Sequence, residues 1–288
     1  MIEHVLTPID GSDEAFAALS FSCSMFPDAD HVTFHVINPT MKRYEGHGYD
    51  AGWLTSAKRE AEEYHETARE IAQQYDVTVT ESVTEQGDPA REIVKYTAQQ
   101  GIEHIVLGSV GRSSLGNLVV GSVAKTVTRR TPTPVTVVRN VEPPEVDPPH
   151  DILVAIDGSE QAYEALEYAL RELPAATVSV LHVVEPSLEL PTPDAEADAS
   201  GRSAGSSNDE ADTILELAKR RADEHDRTID TASRRGKASQ EILEHVTEHE
   251  FDHLVVGHSG QSGWQMLLLG SVAETMVYRS PVPITVVR

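Results

Sequence analysis

The chain has 288 residues, 39% hydrophobic and 24% charged, a globular balance long enough for about two domains. Its formal net charge is −24, from 47 acids against 23 bases, so its surface is expected to repel nucleic acid and anionic membrane alike. No apolar run is long enough to cross a bilayer, and the single cysteine, Cys23, excludes an internal disulfide. Cys23 falls on the apolar side of a helical pattern and reads as a small core residue in a reducing compartment.

Lysine is scarce, six against seventeen arginines. That balance suits a cytoplasm of high salt, where self-repulsion is screened; the alternative is an acidic protein of an ordinary cytosol. MIEHVLTPID enters a strand pattern without a basic-then-apolar leader, and the expected location is cytoplasmic.

In chain order, HVLTPI (residues 4–9) reads as a short buried strand followed by Asp10-Gly11-Ser12, and DILVAI (151–156) followed by Asp157-Gly158-Ser159 repeats it. A carboxylate at the end of the first strand of an open α/β sheet points to where ligands bind, and Asp-Gly-Ser also suits a helix cap. The next helices bury Ala15, Ala18, Leu19, Ser22, Met25 and Phe26, then Ala162, Ala165, Leu166, Ala169, Leu170 and Leu173. Second strands carry His35-Val36 and His182-Val183. Without a second ligand at useful spacing, those histidines read as packing or contact residues rather than zinc ligands.

The copies then diverge. Residues 191 to 212 are rich in Pro, Ser, Gly and Asp, and a flexible loop is expected over about 187–212, lying over the second site as a lid or forming a plain excursion. Third strands, VTVTESV and TIDTASR, lead to helices that bury Ile93 and Val94, and Ile242, Leu243 and Val246; the first of these opens with Asp88 as cap and Pro89 at the first position. Residues 140–151, NVEPPEVDPPHD, form a proline-rich spacer between the repeats.

The most informative stretch closes each repeat. IVLG or LVVG reaches Gly108 or Gly257; a second glycine follows at Gly111 or Gly260, and Gly121-Ser122 or Gly270-Ser271 opens an amphipathic stretch before a last strand, VTVVR or ITVVR. Glycine allows close backbone approach, the serines suit helix N-caps, and helix N-termini attract phosphate. Each repeat alternates strand and helix, which predicts an α/β fold with parallel sheets covered by helices on both faces.

The pattern Gly-x2-Gly-x9-Gly-Ser, between a buried strand and a helix, resembles the ATP-binding motif of the universal stress protein family, and both repeats match it. The resemblance covers nearly the whole chain as two tandem domains, 1–140 and 151–288, around a linker at 141–150. It implies two open five-stranded sheets of order 3-2-1-4-5, paired through their fifth strands as an intrachain pseudo-dimer, with a further homodimer open. It also implies bound ATP (or AMP or ADP), with Mg²⁺. Pro8, Ile9 and Asp10 would lie at the ribose and adenine, Val36 at the base, and Leu107, Gly108, Gly111, Arg112, Gly121, Ser122 and Val123 along the sugar and phosphates. The second set is Ala155, Ile156, Asp157, Val183, Val256, Gly257, Gly260, Gly270, Ser271 and Val272, with Gln261 in place of Arg112.

The resemblance implies a nucleotide-dependent stress-response or signalling module with an unidentified protein client. A nucleotide-free interaction scaffold is one alternative. The other is a slow ATPase or autophosphorylating enzyme, with Ser122 and Ser271 the hydroxyls nearest phosphate. No P-loop lysine or GxGxxG turn is present, no catalytic base can be named, and no metal ligands are assigned.

Overall fold

The computed structural model describes residues 1–40, 52–110, 120–141, 146–186, 203–259 and 269–288, with 203–208 as backbone only. The first repeat runs β1 (His4–Pro8), α1 (Asp13–Met25), β2 (Asp30–Ile37), α2 (Trp53–Gln74), β3 (Val79–Gln86), α3 (Pro89–Gln100), β4 (His104–Gly108), α4 (Ser122–Arg130) and β5 (Val135–Val138). The second runs β6 (Asp151–Ile156), α5 (Glu160–Glu172), β7 (Thr177–Val184), α6 (Ser203–Glu224), β8 (Asp230–Arg235), α7 (Ala238–Glu248), β9 (His253–Gly257), α8 (Ser271–Arg279) and β10 (Ile284–Val287). All twelve apolar positions expected on α1 and α5 and at their C-caps are buried, as is Cys23, whose thiol burial pushes up to about 12. No described helix is long and apolar enough to cross a membrane.

The strands form one ten-stranded sheet, β3-β2-β1-β4-β5-β10-β9-β6-β7-β8, so each half has the order 3-2-1-4-5. The halves join through their fifth strands, as an intrachain pseudo-dimer requires, in an antiparallel pair with Thr136 opposite Thr285 at its centre. The other pairings are parallel. All four residues of β5 and of β10 are buried, so neither strand could remain an edge in water. The outer strands β3 and β8 keep mostly exposed and half-buried side chains. Helices α1, α2, α5 and α6 cover one face, and α3, α4, α7 and α8 the other; the two main cores draw on both repeats.

One correction concerns the segments between elements. The flexible loop expected through residue 212 ends earlier, because α6 begins at Ser203. Ala211, Ile214, Leu215, Ala218 and Ala222 bury one face of that helix, and extending a formed helix backwards through polar residues is cheap compared with nucleating it. Residues 187–202 lie outside the described residues, as do linker residues 142–145. Val146, past them, donates its backbone N–H to Tyr75 Oη at 3.0 Å.

The seam carries a buried polar line. Thr136 and Thr285 share a hydrogen bond of 2.6 Å between their hydroxyls, His104 Nε2 lies 2.8 Å from Thr136, and His253 Nε2 lies 2.9 Å from Thr285. Each histidine also reaches the other repeat's first helix. Tyr168 Oη is 2.9 Å from His104 Nδ1, with ring centroids 5.8 Å apart. Phe21 stacks on His253 at 5.7 Å, an equivalent placement without the hydroxyl, and His253 Nδ1 is left buried without a hydrogen bond among the described residues. Guanidinium groups fasten the outside: Arg139 donates to Val277 O and Tyr278 O at 2.8 Å, and Arg288 to Thr128 O at 3.0 Å, each filling carbonyls at the end of the other repeat's helix.

Burial holds both histidines neutral, down to about 3 from 6.5, with His253 adding to the effect on His104. A histidine depressed on folding contributes stability that is intact above its unfolded value and is lost as pH falls from 6.5 toward 3. The unfolding free energy from urea titration should therefore drop between neutral pH and about pH 5, by at most ~1.4 kcal/mol per histidine for each pH unit below the unfolded value. Phe21→Tyr should place a hydroxyl on His253 Nδ1 and raise stability by about 1 kcal/mol in the same titration. A fall instead would show that the cavity cannot take the oxygen.

Candidate functional site

Parallel strands direct their carboxyl ends to one side of the sheet, and the order reverses between β1 and β4, opening a crevice there. Asp10 stands at its rim. Gly11, at φ 79, occupies the left-handed region and turns the chain so that Asp10 Oδ1 accepts the Ser12 N–H at 3.1 Å and its hydroxyl at 2.5 Å. Ser12 in turn caps α1, accepting the Ala15 N–H at 3.3 Å. Asp157, Gly158 and Ser159 repeat this with Ala162. The carboxylate therefore organises the turn and lines the crevice together.

His35 and His182 have a structural task. Their Nδ1 atoms lie 2.8 and 2.9 Å from the carbonyls of Ile9 and Ile156, so each Nδ1 carries the proton and donates. This strap ties β2 or β7 to the end of β1 or β6, holding Ile9 and Val36, or Ile156 and Val183, at the crevice. Ile9, Leu107, Ile156 and Val256 are buried and form its floor; Pro8 ends β1, and Ala155 is half-buried.

Gly108 and Gly257 have a packing reason as well as an open backbone. A Cβ on Gly108 would lie 2.8 Å from Glu14 O, and one on Gly257 2.6 Å from Gln161 O, so the first turns of α1 and α5 rest directly on these glycines. The chain leaves at Ser109 and returns at Gly121, whose N–H donates to Ser109 O at 2.7 Å; Gly270 and His258 repeat the closure at 2.7 Å. Gly111, Arg112, Gly260 and Gln261 fall inside these loops and lie outside the described residues.

The serine caps are corrected. Gly121 and Gly270 are the N-caps, while Ser122 and Ser271 are the first helical residues and exposed; among the described residues no side chain caps either helix. Serine lies one position too late because the extended backbone of a cap, ψ 153, belongs to the glycine. Among the described residues, the N–H groups of Ser122, Val123 and Ala124 thus lack the side-chain acceptors that α1, α3 and α5 possess. In α3 that acceptor is Asp88, at 2.9 Å from Arg91 N.

These parts enclose a cavity of about 910 Å³ in the first repeat. Pro8, Ile9, Asp10, Val36, Leu107, Gly108, Gly121, Ser122 and Val123 all line it. So do Trp53, Ala57 and Glu60 of α2, Asn38 after β2, Asp88 before α3 and Arg130 of α4, which sequence reasoning missed because only tertiary packing brings them together. The second repeat assembles Asp157, Val183, Gly257, Gly270 and Val272 on equivalent elements, with His258 where the first has Ser109. His258 Nδ1 is buried without a hydrogen bond among the described residues.

The helix N-termini differ in charge. The first turn of α8 carries Glu274 where α4 has Lys125. Lys125 Nζ sits 5.1 Å from the Tyr278 ring centroid, and Glu274 lies 4.0 Å from Arg129, so both face the seam. A carboxylate there already compensates the helix dipole, whereas a lysine adds to it. That exchange, legible in the aligned copies as VAKTV against VAETM, is another feature the sequence reading passed over.

The profile of the Universal stress protein family matches residues 1–139 and again 149–288. The chain is similar over its whole length to a universal stress protein of Mycolicibacterium smegmatis, 26% identical over 304 residues, 99% of this chain and 96% of that one. A stretch of 48% of this chain is 32% identical to 97% of a universal stress protein of Bacillus subtilis. A solved universal stress protein of Archaeoglobus fulgidus superposes with a TM-score of 0.73 at 22% identity, over 99% of this chain and 98% of that chain, and shares its fold.

Gly108→Ala and Gly257→Ala should each destabilise the protein by about 1–3 kcal/mol, since backbone must move to admit the methyl group. Denaturant titration checks this; an unchanged midpoint would show the helix can lift off the strand without cost.

Proposed function

The chain belongs to the universal stress protein family, whose domain accounts for nearly all of it twice over; from that membership we propose that each repeat binds an adenine nucleotide and that the first repeat holds the tighter site. The carrying observation is the 910 Å³ cavity, where a carboxylate, an apolar floor and an uncapped helix N-terminus converge. The apolar residues Ile9, Val36 and Ile37 suit a base, Asp10 suits ribose hydroxyls, and the amides of Ser122 to Ala124 suit phosphate. Asp88 and Glu60 add negative charge to the walls, so the polyphosphate depends on the amides, on the basic residues of that helix and on Mg²⁺ carried with it.

Charge supports the ranking of the two sites. The first repeat has Arg112 and Lys125 where the second has Gln261 and Glu274. Nucleotide occupancy would then set the state of this cytoplasmic protein toward a protein client, the output expected of a binding module.

Calorimetric titration of ATP with magnesium into nucleotide-free protein should show two sites of unequal affinity. Gly121→Val, whose φ of −61 and ψ of 153 any residue can adopt, should weaken the tighter site by at least about tenfold and spare the other; Gly270→Val should do the reverse. Lys125→Glu should weaken the first site severalfold, and Glu274→Lys should strengthen the second. A folded, nucleotide-free protein that takes up no ATP would sink the proposal and favour the interaction scaffold.

A further inference from the structure

Far from either crevice, the end of α7 brings together two imidazoles and a carboxylate. We propose that His245, Glu248 and His249 hold a divalent transition-metal ion, with zinc the best match to the donors. The segment His245-Val-Thr-Glu248-His249 places the three at positions i, i+3 and i+4, which share one helical face. Glu248 is the last helical residue and His249 the C-cap, its N–H donating to His245 O at 3.1 Å. One donor atom from each lies within 4.8 Å of the others. Tetrahedral zinc with bonds of 2.0–2.1 Å needs donors about 3.3 Å apart, so closure requires a movement of roughly 1.5 Å. The exposed Glu248 and His249 are free to rotate by that much, while His245 is held in place.

Two further observations support the site. His245 is only 7% exposed, and its Nδ1 is buried without a hydrogen bond among the described residues, a cost that a ligand would remove. The site also sits at a helix C-terminus, where the backbone's partial negative charge favours a cation, in a chain of net charge −24. Arg234 of β8 is the competitor: it pairs with Glu248 and lies 3.6 Å from Glu241. When a metal takes Glu248, Arg234 retains Glu241.

Two imidazole nitrogens and one carboxylate suit zinc, nickel, cobalt or copper, whereas calcium and magnesium require oxygen shells. Water would complete the coordination. The first repeat has Tyr96, Gln99 and Gln100 at the corresponding positions, so the fold itself does not demand these residues.

The test is calorimetric titration of zinc into the full chain, free of a polyhistidine tag and stripped with chelator. We expect one site per chain with a Kd in the micromolar range or tighter, and a rise in Tm with zinc. His249→Gln and Glu248→Gln alter exposed side chains; the first should weaken zinc by at least about tenfold and the second severalfold, each reducing the Tm rise at a fixed zinc concentration. His225→Gln, an exposed histidine outside the cluster, should change neither. Absence of binding to the wild type at millimolar zinc overturns the proposal. So does binding that His249→Gln leaves unchanged, which would place the zinc on scattered surface histidines.

Discussion

The structure depends on the antiparallel pairing of β5 with β10. Both strands are short and buried on both faces, so either repeat alone would expose an apolar edge and half of its core. Pairing removes that edge and joins the two sheets. It also places Thr136 and Thr285 on one another in an interior where hydroxyls and imidazoles must satisfy each other. The line of His104, Thr136, Thr285 and His253 does so at every atom but one.

From that seam outward, the crevices follow from parallel-strand geometry. Every strand that ends at the crevice is followed by a helix that begins there, and each helix presents free N–H groups. Ser12, Asp88 and Ser159 satisfy those of α1, α3 and α5 with their own side chains. Helices α4 and α8 begin with glycine and, among the described residues, meet no capping side chain. Among these five helices, the difference marks which termini are available for an anion, and both available ones follow the strand ends at the switch points.

Duplication preserved the frame and let the chemistry drift. Tyr168 and Phe21 take the same place across the seam, yet only the tyrosine bonds its histidine. Lys125 and Glu274 reverse the charge of equivalent helix turns, and each finds a partner across the seam: an aromatic ring for the lysine, an arginine for the glutamate. His245, Glu248 and His249 stand at the end of α7 where the first repeat has a tyrosine and two glutamines. None of these exchanges disturbs the sheet, because each lies where a side chain can change without moving backbone.

Much of this is written in local sequence. Apolar spacing alone places Ala15, Leu19, Ala165 and Leu166 in the core, because a helix period selects a face whatever it packs against. Asp88-Pro89 marks a helix start through its own backbone chemistry, and the recurring glycines locate the strand ends that line the cavity. Other features needed the tertiary structure, since their causes lie far along the chain. Gly108 is required by a carbonyl of Glu14, the start of α6 by the burial of Ala211 and Ile214, and the cavity wall of Trp53 and Ala57 by the packing of α2. The cap at Gly121 rather than Ser122 depends on ψ, which residue identity does not specify. Local periodicity and backbone preference thus determined the elements and their ends, while only packing between distant segments decided which groups met across the seam and which amides stayed free.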